Sequence, residues 1–499
     1  IDPMYDAGIR LLHVGINSAC PLPSVPTFCR WRSPSGNDLL LVYQKDYGED
    51  EVLPDGKTVV SINFTGDNHG PHSYERVKKI YADLRKRYPQ AQLVGASFND
   101  VARELLLIKK DLPVVTSEIG DTWIFGYGGA PIRMAKFRAV SRLYSQWLNE
   151  GKIKKDSDVA LDFAAELGLI AEHTQGVDVK THLRQWDKYD MDKFLKGRSE
   201  GIFSMAEASW KEIDNYIDSA IAFLPASLQK EAREVVAEVD KVKLEDNSKM
   251  KPMERKRWEQ PIAGGMTLAG LSYQMFDGDD YDDFQNRYLR ARYGWALDDL
   301  GKRGLKESHA VSVTLYAQTM AQSVRKEKKG TRIITELRFP ENEKVDKRVY
   351  PERIQVNCFT TKNGKRSEVA LTIYGKPAVR LPESYWLSFT VPGIESVIAE
   401  KMGERVDLMD VVEKGNRQMH GIDRYVDLIT SGETIRISSK EAFLLNVGEA
   451  QGLNYSTNYP DKRKGAHFNL NNNLWGTNFS MWNEGSLTYH FVIETLNRK

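Results

Sequence analysis

Three short stretches of this sequence carry side chains whose types and spacing could do chemistry. In the first, Gly66-Asp67-Asn68-His69-Gly70-Pro71 follows the apolar run Val59–Phe64. If that run is a strand, Asp67 stands at its carboxyl end, where barrel enzymes keep catalytic side chains. The same residues also read as a tight turn with Asp67 capping the next helix. In the second stretch Glu118, Asp121 and Trp123 come close together, just after Val114-Val115. Paired carboxylates can divide acid and nucleophile roles at a glycosidic bond, and an indole can lie under the apolar face of a sugar ring. A loop with a core Trp reads the same way. In the third stretch, Glu172-His173-Thr174 follows a helix end and precedes Gly176. A neutral imidazole there is a reasonable metal ligand, and a lone His is as readily structural.

Other candidates carry less. His69 and His72 are separated by Gly70-Pro71, which breaks any shared helical face. The run Asp277–Asp283 resembles a calcium loop, but its sixth position is Asp282 and its twelfth Tyr288, where such loops need Gly and Glu. It reads as an acidic helix start. Arg325–Lys329 reads as a solvated hairpin tip. Near the end, Asn469–Asn473, Trp475, Gly476 and Asn478 form a polar, aromatic cluster. Amides and indoles suit sugar hydroxyls and ring faces, and Asn-rich β-turns have the same composition.

The elements that must position these residues follow from hydrophobic period. At 499 residues the chain has room for about three domains. In residues 1–130, the strand-length runs Leu11–Ile16, Leu39–Tyr43, Val59–Phe64 and Leu93–Ser97 alternate with helical stretches at Ser73–Tyr88 and Asp100–Lys109. That alternation predicts an α/β unit with parallel strands. Across 131–250 the strand signals vanish. Apolar stripes at Ile132–Leu148, Ser157–Leu169, Ile202–Ala220 and Leu228–Val242 predict a helical bundle. Across 260–499 short strands dominate, with Asn363-Gly364 as a two-residue hairpin turn, and a β-sandwich is expected. The fold class is therefore multi-domain, α/β plus all-α plus all-β.

Composition narrows the function classes. Lys+Arg 70 against Asp+Glu 69 leaves none of the basic excess expected of a nucleic-acid binder. No apolar run approaches the length of a bilayer-spanning helix, so no membrane partner is expected. Three cysteines make neither a disulfide framework nor a paired metal site. The chain opens Ile1-Asp2-Pro3-Met4 and runs directly into a strand signal, which reads as a domain begun in mid-unit. Compartment is not encoded.

Three segments, in order, resemble glycoside hydrolase family 38, the α-mannosidase family, and its divergent, uncharacterised bacterial relatives. Gly66-Asp67-Asn68 resembles that family's Gly-Asp-Asp strand-end motif, which carries the acid/base carboxylate. Trp123–Pro131 resembles the aromatic segment that leads into the helical bundle and places a Trp under the sugar. Glu172-His173-Thr174 resembles the His-His-Asp segment that supplies a zinc ligand. The order α/β, helical, β is also the family's order. Two positions depart from the pattern: Asn68 and Thr174 stand where the family has Asp.

The resemblance implies a retaining glycosidase acting on α-mannoside-like glycans with zinc assistance. Asp67 would be acid/base, with Asp121 as a substitute. Asn68, His69, Glu118, Trp123, Trp475 and Asn478 would bind substrate, and His173 would hold zinc. Residues 1–130 would be the C-terminal part of a (β/α) barrel. The nucleophile and the remaining zinc ligands would lie on roughly 100–200 further residues of barrel, so zinc would bind this chain weakly or not at all. The same resemblance implies self-association or a separate barrel segment as a partner. Asn68 and Thr174 also permit a second outcome, a carbohydrate-binding pseudoenzyme or accessory chain without turnover.

Overall fold

The structure, a computed structural model, describes residues 1–66, 69–120 and 123–496. Asp67, Asn68 and Asp121 lie outside the described residues. The chain forms two compact units. One comprises 1–120, 288–292 and 410–415, and the other is the remainder.

In the first unit, strands Leu11–Gly15, Asp38–Gln44, Phe28–Arg32 and Val114–Val115 form one sheet in that spatial order. The outer pairs run parallel and the central pair antiparallel. The sheet is therefore mixed rather than all-parallel, and no closed barrel forms among the described residues. Phe28–Arg32 gives no apolar run because Arg30 and Arg32 interrupt it. Both guanidiniums turn to Asp38, Arg32 Nε at 2.7 Å and Arg30 Nη1 at 3.6 Å from its carboxylate. Residues 93–97 form no strand; Val94 is 70% exposed and no neighbouring strand pairs with the segment. The strand before Gly66 spans only Val59–Ser61 and pairs antiparallel with Asp50–Val52, apart from the main sheet. The expected barrel-strand end is thus the arm of a hairpin.

Two helices follow their sequence signals. Tyr74–Arg87 is capped by Ser73, whose hydroxyl accepts from Arg76 N. Phe98–Leu107 starts with a capping box between Ser97 and Asp100. The core of this unit gathers Phe28, Leu40, Val42, Leu53, Val60, Leu105 and Leu112. Returning segments close it. Arg290 Nη2 donates to Ser18 O at 2.9 Å and Lys45 O at 2.8 Å, and Ser24 N donates to Glu413 O at 2.8 Å.

The second unit contains helices and two large antiparallel sheets. Helices Pro131–Asn149, Asp158–Gly168, Ser204–Ala222 and Ala226–Asp240 sit where the apolar stripes placed them. They enclose Val140, Trp147, Phe163, Ile170, Ile217 and Ile221. Arg133 is buried among them. It donates to Asp214 Oδ1 at 2.6 Å, Gln175 Oε1 at 3.1 Å and Trp210 O at 2.9 Å, which locks the first helix to the third. The short helix Met191–Ser199 forms without a clear apolar stripe in its sequence.

Seven strands form one sheet and ten the other among the described residues. The first sheet includes Thr267–Met275, Glu383–Thr390 and Ala466–Asn472; the second includes Gly485–Leu496, Arg366–Lys376 and Arg353–Thr361. Phe389 and Phe468 of the first meet Phe491 of the second at 5.3 and 5.1 Å between ring centroids. The two inner faces therefore pack against each other. Gly364 sits at φ 64°, the left-handed conformation its hairpin turn demands. Asp277 caps helix Gly278–Tyr288, accepting from Asp279 N and Asp280 N, so the acidic run is a helix start.

Candidate functional site

The second unit brings its sequence-marked aromatic residues together. Trp123–Gly129 is a 3-10 segment leading directly into the helix at Pro131. Its Trp123 ring lies 5.4 Å from Trp475 and 6.4 Å from Phe479. Phe284 meets the edge of Trp475 at 6.0 Å, and Tyr127 meets Phe479 at 5.9 Å. Trp475 is 5% exposed, whereas Trp123 is only half-buried. Trp123 is therefore packed against Trp475 without being enclosed in the core.

The glycines of this segment explain how it docks. A Cβ on Gly126 would fall 2.3 Å from the Phe479 ring, and one on Gly128 would fall 2.2 Å from Asn472 Nδ2. Only glycine permits both approaches. Asn472 Nδ2 then donates to Phe125 O at 3.0 Å and to Asn469 Oδ1 at 2.8 Å. Asn473 Nδ2 lies 3.0 Å from each of the carbonyls of Val379, Leu381 and Met481, while its Oδ1 accepts from Glu383 N at 2.7 Å. These asparagines are buried and bond protein atoms, so Asn469, Asn472 and Asn473 position loops and present no free amide to a ligand. Asn478 differs. It is half-buried, and its Oδ1 has no hydrogen-bond partner among the described residues.

The His173 segment reaches the same neighbourhood through Tyr127. The Tyr127 hydroxyl donates to Ala171 O at 2.8 Å and lies 3.2 Å from Glu172 O. Burial, and then the nearby Glu172 charge, push this phenol up to about 12. His173 itself points outward, its side chain 76% exposed and its Nδ1 against Glu172 Oε1. The other Glu172 oxygen accepts from Thr174 N at 2.6 Å. No group of three His, Cys, Asp or Glu side chains able to hold a metal occurs among the described residues. A lone, exposed, carboxylate-paired imidazole does not fit the three or four ligands a zinc site uses.

His69 and Glu118 belong to the first unit. His69 is exposed with its ring near Gly66, and His72 Nε2 lies 2.9 Å from Asn63 O. Glu118 is half-buried; its N–H donates to Asp410 O at 3.0 Å and its carbonyl accepts from Val412 N at 2.9 Å. Of the sequence-marked residues, Trp123 and Trp475 thus share one neighbourhood, Asn478 follows Trp475 by three residues, and the His173 turn adjoins through Tyr127. Sequence reasoning missed Phe284 and Phe479, and took Tyr127 only as part of the aromatic segment Trp123–Pro131. The only local hint was the alternation Phe125-Gly126-Tyr127-Gly128, in which each small residue admits a neighbour's bulk.

Residues 128–259 match a family model described as a domain of unknown function (DUF5054). Among curated protein sequences none matches. Two solved structures from Enterococcus faecalis are similar along the chain. One is a protein in glycosyl hydrolase family 38, 10% identical, covering 100% of this chain and 71% of its own length at TM-score 0.43. The other is an alpha-mannosidase from strain V583, 9% identical, covering 98% and 71% at TM-score 0.46.

Proposed function

We propose that this chain acts on α-mannoside-like glycans as a glycoside hydrolase of the retaining type. The observation that carries the reading is the meeting of Trp123 with Trp475, with the enclosed, unpartnered Asn478 Oδ1 three residues further along the chain. An indole face accepts the C–H face of a sugar ring, and an unpartnered buried carbonyl oxygen gains most from a hydroxyl donor. The three motif segments and the α/β, helical, β order add to it. In this reading Asp67 protonates the leaving oxygen, with Asp121 as its substitute, and a second carboxylate about 5–5.5 Å away attacks the anomeric carbon. Asn68, His69 and Glu118 would contact hydroxyls. Zinc would need ligands other than the outward-facing His173.

The test is hydrolysis of an aryl α-mannoside with binding measured by calorimetry. Asp67→Asn should lower turnover by about 10²–10⁴, the usual worth of a general acid, with binding retained. Trp123→Ala should weaken binding by about 1–3 kcal/mol, the size of a lost aromatic contact, with the thermal transition still cooperative. Binding without turnover would favour the second reading, a carbohydrate-binding pseudoenzyme, for which Asn68 and Thr174 speak. Absence of both would end the carbohydrate reading.

The partner reading has its own support. In the first unit, helix Tyr74–Arg87 buries only Leu84 and helix Phe98–Leu107 only Leu105. Leu107 is 80% exposed, Val94 70% and Phe64 55%. Such apolar surface favours association, with a second copy or with a separate barrel segment. We expect the chain alone to self-associate in sedimentation velocity, and Leu107→Lys with Val94→Lys to shift it toward monomer. A wild-type monomer at all accessible concentrations would refute self-association.

A further inference from the structure

One small cavity of the second unit is lined by cations that outnumber their partners. Its walls include Lys180, Asp298, Lys302, Arg303, Arg380 and Thr477, and its volume is about 20 Å³. Two of the four cations are answered within the protein. Lys180 pairs with Asp299 and lies 3.7 Å from Asp178. Arg303 lies 3.7 Å from Asp298. Lys302 and Arg380 have no carboxylate within ion-pair distance among the described residues.

Arg380 is the more demanding of the two. It is 2% exposed. One terminal nitrogen, Nη1, donates to Trp186 O at 3.2 Å. The guanidinium lies over the rings of Tyr189, at 4.1 Å, and Phe203, at 5.2 Å. Its Nε has no acceptor among the described residues. Guanidinium cannot shed its proton to escape burial, and a buried cation without a counter-charge is costly. Lys302 turns its ammonium inward onto Trp475 O at 3.1 Å. Burial, then the Arg380 charge, push that ammonium down to about 7. Asp187 acts on Arg380 only from beyond ion-pair distance, so neither group has a negative charge in contact with it.

We propose that this cavity is a binding site for a halide-sized inorganic anion such as chloride, held by Arg380 Nε and the Lys302 ammonium. The size of the space selects the class. About 20 Å³ holds one water-sized occupant, too little for a phosphate or sulfate. A water molecule would supply an acceptor but no charge. The anion also bears on the candidate site. Lys302 holds the Trp475 carbonyl, and Gly476, Thr477 and Phe479 line the same cavity. Filling it fixes the loop that carries Trp475 and Asn478. The inference does not depend on the carbohydrate reading, since it concerns an ion held without any sugar.

Bromide provides the probe. Crystals grown or soaked in sodium bromide should show an anomalous peak beside Arg380 Nε and Lys302 Nζ. In solution, the Tm should rise by about 2 °C in chloride or bromide relative to gluconate at equal ionic strength. Gluconate is too large for the cavity. Lys302→Met, which keeps the apolar stem of a half-buried side chain, should abolish that halide-specific rise, and Arg380→Met provides a second variant if it folds. No bromide peak at this position, or an equal halide effect in wild type and Lys302→Met, would overturn the proposal.

Discussion

Glu383→Ala should lower the unfolding free energy by about 3–5 kcal/mol, the usual cost of leaving one member of a buried ion pair alone. Glu383 is fully buried at the start of strand Glu383–Thr390. Its Oε1 lies 2.5 Å from Lys376 Nζ, at the end of strand Arg366–Lys376. Its Oε2 accepts from the Tyr273 hydroxyl at 2.7 Å. Burial raises the carboxyl above its ordinary range, and Lys376 and Tyr273 oppose that rise. With the carboxylate gone, the Lys376 ammonium keeps the carbonyls of Pro377, at 3.1 Å, and Asn483, at 2.9 Å, and the Tyr385 ring face at 5.9 Å, but no counter-charge among the described residues. The pair ties the two sheets together just where Asn473 holds the Glu383 backbone. Urea midpoints measure the loss. Lys376→Met combined with Glu383→Leu should recover most of it, because no buried charge then remains. A single-variant loss below about 1 kcal/mol would show that the ammonium finds water or another partner.

Acid should destabilise the second unit as pH falls below about 6.5, through two buried imidazoles. His420 is 4% and His467 7% exposed. Burial pushes the first imidazole down to about 3 and the second to about 4. His420 Nε2 lies 2.8 Å from Arg417 O, and His467 Nδ1 lies 2.9 Å from Ser388 Oγ. Each ring is neutral in the folded chain, while the unfolded chain binds a proton near pH 6.5. Their stabilisation is therefore complete above about pH 6.5 and is lost as pH falls toward the folded values. By pH 5 each ring costs about 2 kcal/mol, from about 1.4 kcal/mol per pH unit. Urea unfolding at pH 7.5 and pH 5 measures the sum, and histidine ring resonances measure each site. A ring that titrates near 6.5 in the folded protein would remove its share.

Much of the local structure was legible because local chemistry decides it. The stripe Ile202–Ala220 became helix Ser204–Ala222, since a 3.6-residue apolar period has only one helical face to bury. Asn363-Gly364 made its hairpin turn through the left-handed Gly364. Asp277 turned an apparent calcium loop into a helix cap because its carboxylate reached two nearby N–H groups. In each case the deciding partner lay within a few residues.

The tertiary structure decided what depends on distant partners. Leu93–Ser97 has the composition of a strand but no neighbour to pair with, and Phe28–Arg32 is a strand despite two arginines because Asp38 answers them. The Asn-rich run could have faced a sugar or a backbone. The carbonyls of Phe125, Val379, Leu381 and Met481 claimed Asn472 and Asn473. His173 had a motif, but among the described residues no group of ligands gathers around it, and it faces outward. Trp123 and Trp475 were marked separately by residue type, and only the folded chain set them 5.4 Å apart. Residue type and spacing determine which groups are able to do chemistry. Which of them meet depends on strand pairing and loop docking between remote segments, and no local period encodes that.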